Sequence, residues 1–424
     1  MTIYNAFSVI GILLLIATAW LLSNNRKQVN WRTVSVGLLL QLIFAALVFW
    51  FPPGRYFFLG LNDVVVKILS TANEGCRFIF GTLAAAPGEP GSLGFFLIFQ
   101  ALPSIIFFSA LMEFLYYADV IQPIVRFFAR IFSKGMKISG AESLCAAANI
   151  FSGVESITSI RPFLEKLTSS ELCVVLVTGL ATVAANMIGF YVFILKDHIP
   201  NVAGHLITAS ILTAPAAVVM AKILFPETET PATMTEDITI EYDKPQSGIE
   251  AILRGSTIGG KLVFGIVTVV IAMLGIVALI NLGLDGFSLI FQHLTHLSIS
   301  LRIEHILGVV FYPFTLMLGM PPHDAWLVAQ LLGERLMLTE VIAYQHLAGL
   351  MDAGALVSSR SGILATYALC GFAHVGSLAI FVGGTAALAP SQSGKLSQIA
   401  IRSLLAATLA TLLSAAVVGI FLTV

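Results

Sequence analysis

The chain has 424 residues, 58% of them hydrophobic and 11% charged, with a mean hydropathy of +0.94 and a formal net charge of −1. Soluble domains carry about 25% charged residues, so the composition excludes a soluble domain and specifies a polytopic membrane protein. A near-neutral charge balance gives no footprint for nucleic acid. Cys76, Cys145, Cys173 and Cys370 form no CxxC pair and read as small apolar packing residues.

Residues 4–22 and 35–52 are clean apolar runs, close to the ~20 residues that a bilayer requires. The basic residues of the first run follow it and no small-residue cleavage site appears, so it reads as a retained helix and not as a signal peptide. Arg26, Lys27 and Arg32 lie between the two runs; a basic loop stays in the cytoplasm, which puts the N-terminus outside. Residues 54–93 show helical spacing with Asp63, Lys67 and Glu74 on one side, and predict an amphipathic helix at the outer face that ends in a Pro/Gly turn at 87–91. A third span is expected over 94–118. In the following segment Arg126, Arg130, Lys134 and Lys137 recur at steps of three and four against Ile124, Phe127, Phe128 and Ile131, the pattern of a basic amphipathic helix lying on the cytoplasmic surface.

The stretch 139–195 organises the chain. It is apolar enough for membrane depth, yet it carries Glu142, Asn149, Ser152, Glu155, Asn186 and a Gly153-Val154-Glu155-Ser156 break. A carboxylate at the bilayer centre costs at least ~2.5–3.5 kcal/mol, so one kept there faces a cavity and handles a solute or an ion. Residues 140–164 predict a re-entrant hairpin, broken at Gly153 and leaving the membrane at Arg161-Pro162; irregular backbone is tolerated at that depth only inside protein or along a cavity. Glu142 fits an alternative role as the negative group at the start of the hairpin helix. Residues 171–195 and 203–225 are expected to cross. The acidic, Pro/Thr-rich segment 226–248 reads as a solvated cytoplasmic loop and the divide between two halves.

The second half repeats the plan. Residues 249–260 are expected along the interface and 261–284 to cross; 301–320 pack at the outer surface. Residues 322–352 form a second hairpin with Glu340, 361–387 cross with His374 at a polar break, and 398–424 end the chain. This gives an all-α fold of eight transmembrane helices, two opposed re-entrant hairpins in an inverted repeat, and interfacial amphipathic helices. The corresponding division is scaffold helices at 1–118, the interfacial helix, first hairpin and following helices at 119–225, the loop at 226–248, interfacial and scaffold helices at 249–300, and the second hairpin and C-terminal helices at 301–424. Most of the 22 Lys and Arg then fall inside, with both termini extracytoplasmic. Two broken polar segments in matching positions of two halves mark the central site of a secondary transporter.

Charged carboxylates accept several strong hydrogen bonds, which suits Glu155 and Glu340 to a ligand's hydroxyls; the structural alternative is pairing with an arginine or backbone amides. His374 is placed either to read the substrate, to titrate near neutral pH, or to bridge helices as a neutral imidazole. Asn149 and Asn186 offer amide oxygens to a hard cation, or cap helix breaks. His323-Asp324 and Glu304-His305 lack HExxH spacing and read as interfacial; His293 and His296 are spaced i, i+3 near the outer surface. No phosphate-cradling loop occurs, so direct ATP coupling has no support.

The strings AANIFSGVESITSIRPFLEKL, TGLATVAANMIGFY, GERLMLTEVIAYQHL and TYALCGFAHVGSLAIFVGG, in this order along nearly the whole chain, resemble the concentrative nucleoside transporter family. The resemblance implies a homotrimer in the bacterial inner membrane that takes up nucleosides with a sodium ion or proton as coupling ion, by elevator-type motion and with no organic cofactor. It implies substrate contacts from Gly153, Val154 and Glu155 at the first tip, Thr339 and Glu340 at the second, and Phe372, His374 and Ser377 in the crossing helix. It places a cation at Asn149, Ser152 and Asn186. The family's first tip has Gly-Gln-(Thr, Ser or Asn)-Glu, here one residue shorter and without the amide. Its Asn-Glu is Thr339-Glu340 here, and its Phe-Ala-Asn is Phe372-Ala373-His374. The carboxylates for ribose hydroxyls and the aromatic beside the base are kept; the side chains that read the base are not. Symport of another polar solute on the same scaffold is the first alternative. An intramembrane enzyme using Glu155, Glu340 and His374 as acid–base groups is the second, opposed by the lack of a nucleophile motif. A simple channel is opposed by two occluding hairpins.

Overall fold

A computed structural model describes residues 3–85, 89–234, 242–295 and 302–422, and among these every regular element is helical. Helices α1 (Ile3–Leu21) and α2 (Trp31–Phe49) are joined by the basic loop, and Asn30 caps α2 by accepting from the Arg32 and Thr33 amides. Pro52 starts α3 (Pro52–Phe80), the expected amphipathic helix, and Gly81 at φ +56° ends it. The third span is in two pieces, α4 (Leu97–Gln100) and α5 (Pro103–Tyr117), because Pro103 has no amide to continue the ladder. Helix α6 (Ile121–Met136) buries Val125, Phe128, Phe132 and Met136 and exposes Arg126, Arg130 and Lys134, as its period requires.

Helix α7 (Gly140–Ala148) opens with a capping box: Ser139 accepts from the Glu142 amide and Glu142 from the Ser139 amide. The segment then turns through Asn149–Gly153 into a 3-10 run, Val154–Lys166, that contains Arg161-Pro162. A second capping box, Thr168 with Glu171, starts α8 (Ser169–Ala181). Helical backbone stops at Thr182–Ala184 and resumes as α9 (Ala185–Leu195), followed by α10 (Val202–Leu224). Helix α11 (Gly248–Thr295) runs unbroken through both 249–260, expected along the interface, and 261–284, expected to cross. Few residues of its most apolar stretch are fully buried, while its first turns pack on α5 through Gly255 and Gly259.

Helices α12 (Ile303–Met317) and α13 (Pro322–Met337) pack on each other, and Leu338 and Thr339 alone separate α13 from α14 (Glu340–Asp352). The segment before the last helix is broken like α8–α9: α15 (Ser359–Leu369) stops, Cys370–His374 is non-helical, and α16 (Val375–Leu388) follows; α17 (Ser393–Phe421) comes last. Among the described residues, seven helical segments are long and apolar enough to cross a membrane by length and composition; α15 and α16 each fall short alone. The core lies where α8, α10 and the C-terminal part of α17 meet, each buried all round as apolar-all-round helices must be.

Buried charges hold the helix ends. Lys222 at the end of α10 reaches Glu142 Oε1 (2.5 Å), Glu227 Oε2 (3.3 Å) and Ser170 Oγ (3.0 Å), so it pairs with the carboxylate at the start of α7 and bonds the first turn of α8. Arg360 donates to the Gly319, Gly419 and Leu422 carbonyls, joining α15 to the ends of α12 and α17. Asp324 is fully buried and accepts from the Val357 and Ser358 amides and the Ser361 hydroxyl. It therefore caps α15, a correction to its interfacial reading; His323 beside it is exposed. The 226–248 loop is not wholly solvated either. Thr233 is buried and takes the Gly140 and Ala141 amides, and Tyr242 donates to Glu113. All four cysteines are free and buried. His296 and the side chain of His293 lie outside the described residues.

Candidate functional site

The two helix breaks cross at the centre of the core. Gly371, at φ +90°, lies directly against the Ala181 carbonyl, an approach that no side chain would permit. The tips of both helix pairs point at this crossing, and a cavity of about 260 Å³ opens beside it. Gly153, Thr339, Glu340, Phe372, His374 and Ser377 line it, together with Asn186, so residues read from four separate stretches of sequence share one space. Val154 and Glu155 begin the 3-10 run behind the first tip, and their side chains lie outside the described residues.

One wall of the cavity is polar. Tyr191 on α9 donates its hydroxyl to Glu340 Oε1 (3.2 Å) and stacks on Tyr344, ring centroids 4.4 Å apart. Glu340 Oε2 lies 3.2 Å from His374 Nε2 but has no hydrogen-bond partner among the described residues. His374 is the N-cap of α16: Nδ1 accepts from the Ser377 amide (3.2 Å), which puts the proton of a neutral ring on Nε2, 2.6 Å from Ser377 Oγ. Glu340 and His374 are 3% and 4% exposed, so their polar atoms are cut off from bulk water. Thr339 Oγ1 and Asn186 Oδ1 are likewise buried without a partner among the described residues. A buried polar atom left unpaired costs about 1–3 kcal/mol, which makes those beside this cavity candidates for contact with a polar ligand.

Much of the remaining lining is apolar: Leu262, Ile266 and Val269 from α11, with Ile380 and Phe381 from α16. Sequence reasoning missed these, because an apolar residue in an apolar span carries no signal. It also missed Tyr191, whose lone hydroxyl within the run of 171–195 is the signal that would have found it.

The three residues read as a cation set are only partly together. Ser152 and Asn186 line a smaller cavity of about 60 Å³ with Ser109, Glu113 and Gly153. Ser152 Oγ is 2.6 Å from Tyr116 Oη, and Asn186 Nδ2 donates to Ser109 Oγ (3.3 Å). Asn149 does not line either cavity; its Nδ2 donates to the Cys145 carbonyl (3.0 Å) and Thr178 Oγ1 (3.3 Å). Asn149 Oδ1 and Asn186 Oδ1 are buried oxygens with no hydrogen bond among the described residues, the donor chemistry a hard cation takes.

Family models place the chain among known proteins. Residues 205–419 match the C-terminus and residues 10–83 the N-terminus of Na+ dependent nucleoside transporters, and residues 98–197 match a nucleoside recognition model named Gate. The chain is 33% identical to the nucleoside permease NupC of Helicobacter pylori over 98% of its own length and 97% of that protein's. It is 34% identical to an uncharacterized transporter of Haemophilus influenzae over 98% and 97%. Human solute carrier family 28 member 3 is 33% identical over 97% of this chain, which spans 59% of that protein. The structure of CNTnw in an inward-facing substrate-bound state superposes with a TM-score of 0.87 at 32% identity, covering 99% of this chain and 98% of that one.

Proposed function

We propose that this chain, which belongs to the Na+ dependent, concentrative nucleoside transporter family, is a cation-coupled symporter carrying nucleosides into the cell. The observation that carries the reading is the cavity's mixed lining. Glu340, whose Oε2 meets His374, and Thr339, whose Oγ1 has no hydrogen bond among the described residues, share it with Leu262, Ile266 and Val269. A nucleoside is mixed in the same way, with ribose hydroxyls at one end and a flat, largely apolar base at the other. Glu340 and Glu155 take the hydroxyls, with Thr339, Gly153 and Val154 beside them. Phe372 gives the base a face, and His374 and Ser377 supply the polar edge that reads it.

Sodium dependence follows the family's name, and Asn149, Ser152 and Asn186 are the residues of this chain suited to hold the ion. Bound there, a cation supplies positive charge beside the first helix break and so links occupancy of the tip to the ion gradient. A proton on His374 or Glu340 is the alternative coupling ion. The helix pairs α7 with its 3-10 run and α13 with α14 act as opposed re-entrant hairpins. With the broken crossings they make eight spans and a core that moves as an elevator, in a bacterial inner membrane with both termini outside. An apolar groove of about 480 Å³ between α3, α5 and α11 supports a further copy of the chain as neighbour, in a homotrimer.

A second reading, symport of a different small polar solute, is favoured by one feature: His374 already engages Glu340 and Ser377 where the family has an asparagine. Uptake of labelled uridine and adenosine into proteoliposomes, with an imposed sodium or proton gradient and with none, separates the two. Gradient-driven accumulation lost in Glu155→Gln and Glu340→Gln supports nucleoside symport. Absence of uptake by folded protein, with no protection by nucleosides against heat, overturns it.

A further inference from the structure

Helix α6 carries Arg126, Arg130 and Lys134 and no acidic residue, and Lys137 follows as its C-cap. The first three recur every fourth residue and so form one strip along the helix, and all four are exposed. Ile124, Phe127 and Ile131 form the strip beside it, with Phe127 58% exposed. The opposite side, Val125, Phe128, Phe132 and Met136, is buried in the core. Thr33 Oγ1 donates to the Met136 carbonyl (3.0 Å), which brings the turn before α2 to this end of α6, and Arg26, Lys27 and Arg32 are exposed on that turn.

Cations elsewhere at this end of the bundle have partners within the chain. Lys222 pairs with Glu142 and Glu227, Lys244 with Asp119, and Arg254 with Glu113 and Asp243. Those on α6 and on the turn before α2 have no ion pair among the described residues. Like charges crowded on one surface repel, so their counter-charge comes from outside the chain. A shallow groove lies between the two strips of α6, lined by Pro123, Phe127, Arg130, Ile131 and Lys134. Cations on one edge and apolar groups on the other complement a phospholipid, which has a phosphate at one end and hydrocarbon beyond it. Clusters of four to eight Lys and Arg on an amphipathic helix are what anionic headgroups bind.

We propose that α6 and the turn before α2 form a site for anionic phospholipid, with a headgroup phosphate between Arg130 and Lys134 and the start of an acyl chain on Phe127 and Ile131. Only Lys137 and Ile138 lie between α6 and the Ser139 capping box that opens α7. A lipid held on α6 therefore steadies the first helix pair against the membrane surface. The proposal stands on the membrane class and the charge pattern, and is independent of which solute is carried.

The test uses the full chain in neutral detergent, with melting temperature followed as phosphatidylglycerol or phosphatidylcholine is added. Phosphatidylglycerol should raise the melting temperature of wild type well above the effect of phosphatidylcholine, and about 0.5 M NaCl should remove most of the difference. Each cation near an anionic surface is worth roughly fivefold in affinity, so the triple variant Arg126→Gln, Arg130→Gln, Lys134→Gln should need on the order of a hundredfold more phosphatidylglycerol. A charge-matched triple, Arg55→Gln, Lys67→Gln, Arg302→Gln, should respond as wild type. Phe127→Gln should weaken binding at low and high salt alike, because its contribution is apolar. Should the first triple fail to fold, Arg130→Gln and Lys134→Gln singly should each lose about fivefold while Arg130→Lys keeps most of the response. Equal shifts with the two lipids in wild type overturn the proposal, as does equal loss in the charge-matched triple. Glycerol phosphate that reproduces the shift would make the occupant a soluble anion and remove the lipid. None of these readouts involves a transported solute, so their failure is separate from failure of nucleoside uptake.

Discussion

Tyr191 Oη sits 3.2 Å from Glu340 Oε1, and this bond occupies one oxygen of the carboxylate. With Oε1 held, Oε2 is the oxygen left beside His374 Nε2. The bond joins α9, after the first helix break, to the start of α14, so the two halves of the chain meet at the candidate site.

Tyr191→Phe removes that hydrogen bond and keeps the stack on Tyr344. A hydrogen bond to a charged group is worth about 1.5–3 kcal/mol and its loss leaves a buried carboxylate oxygen unpaired, so the melting temperature should fall, and nucleoside affinity should fall as well because Glu340 is no longer held in place. Glu340→Gln should cost at least as much. Nucleoside-dependent thermal protection of the two variants measures both. Equal affinity in Tyr191→Phe and wild type would remove the tyrosine from the site.

His374→Ala and His374→Asn should separate capping from recognition. The alanine loses the N-cap of α16, which costs ~1 kcal/mol, whereas asparagine is itself a good N-cap. Melting should drop only in the alanine variant. Base preference, read by competition among uridine, cytidine, adenosine and inosine, should change in both; an unchanged preference in both would exclude His374 from reading the ligand.

Gly179→Ala tests the shape of the apolar wall. A methyl group there overlaps the Phe381 ring, which lines the cavity, so the ring must shift. Overpacking of this kind costs about 1–3 kcal/mol, and displacement toward the ligand space should weaken nucleoside binding severalfold. Gly371→Ala has no such escape, since its methyl meets the Ala181 backbone carbonyl at a left-handed φ. Detergent-solubilised Gly371→Ala should elute as aggregate where Gly179→Ala elutes folded; the reverse order would contradict the crossing.

Lys222→Met leaves Glu142 as a buried, uncompensated carboxylate. Breaking one side of such a pair costs ~3–5 kcal/mol, and the double variant with Glu142→Gln should recover much of it. Melting temperatures of the single and double variants form the cycle. Additive losses would show that the 2.5 Å contact carries no coupling.

The sequence by itself determined the class and most of the helices, because a chain in hydrocarbon must be apolar in long runs and must close every backbone hydrogen bond within them. The period of α6 and the Ser139–Glu142 and Thr168–Glu171 boxes are local and readable for the same reason. Polar residues in apolar runs also marked Glu340, His374 and Asn186, since burial of such groups needs a function or a partner. Only the tertiary structure decided which partner each one has. Asp324 and Glu340 look alike as acids beside helix starts, yet one is spent capping α15 and the other faces a cavity. Tyr191 and the α11 wall were invisible for a related reason: what makes them part of the site is the crossing of two breaks distant in sequence. Periodicity and composition report what lies near along the chain; that crossing is set by close packing of Gly371 on Ala181 and by buried charge balance, which no local pattern encodes.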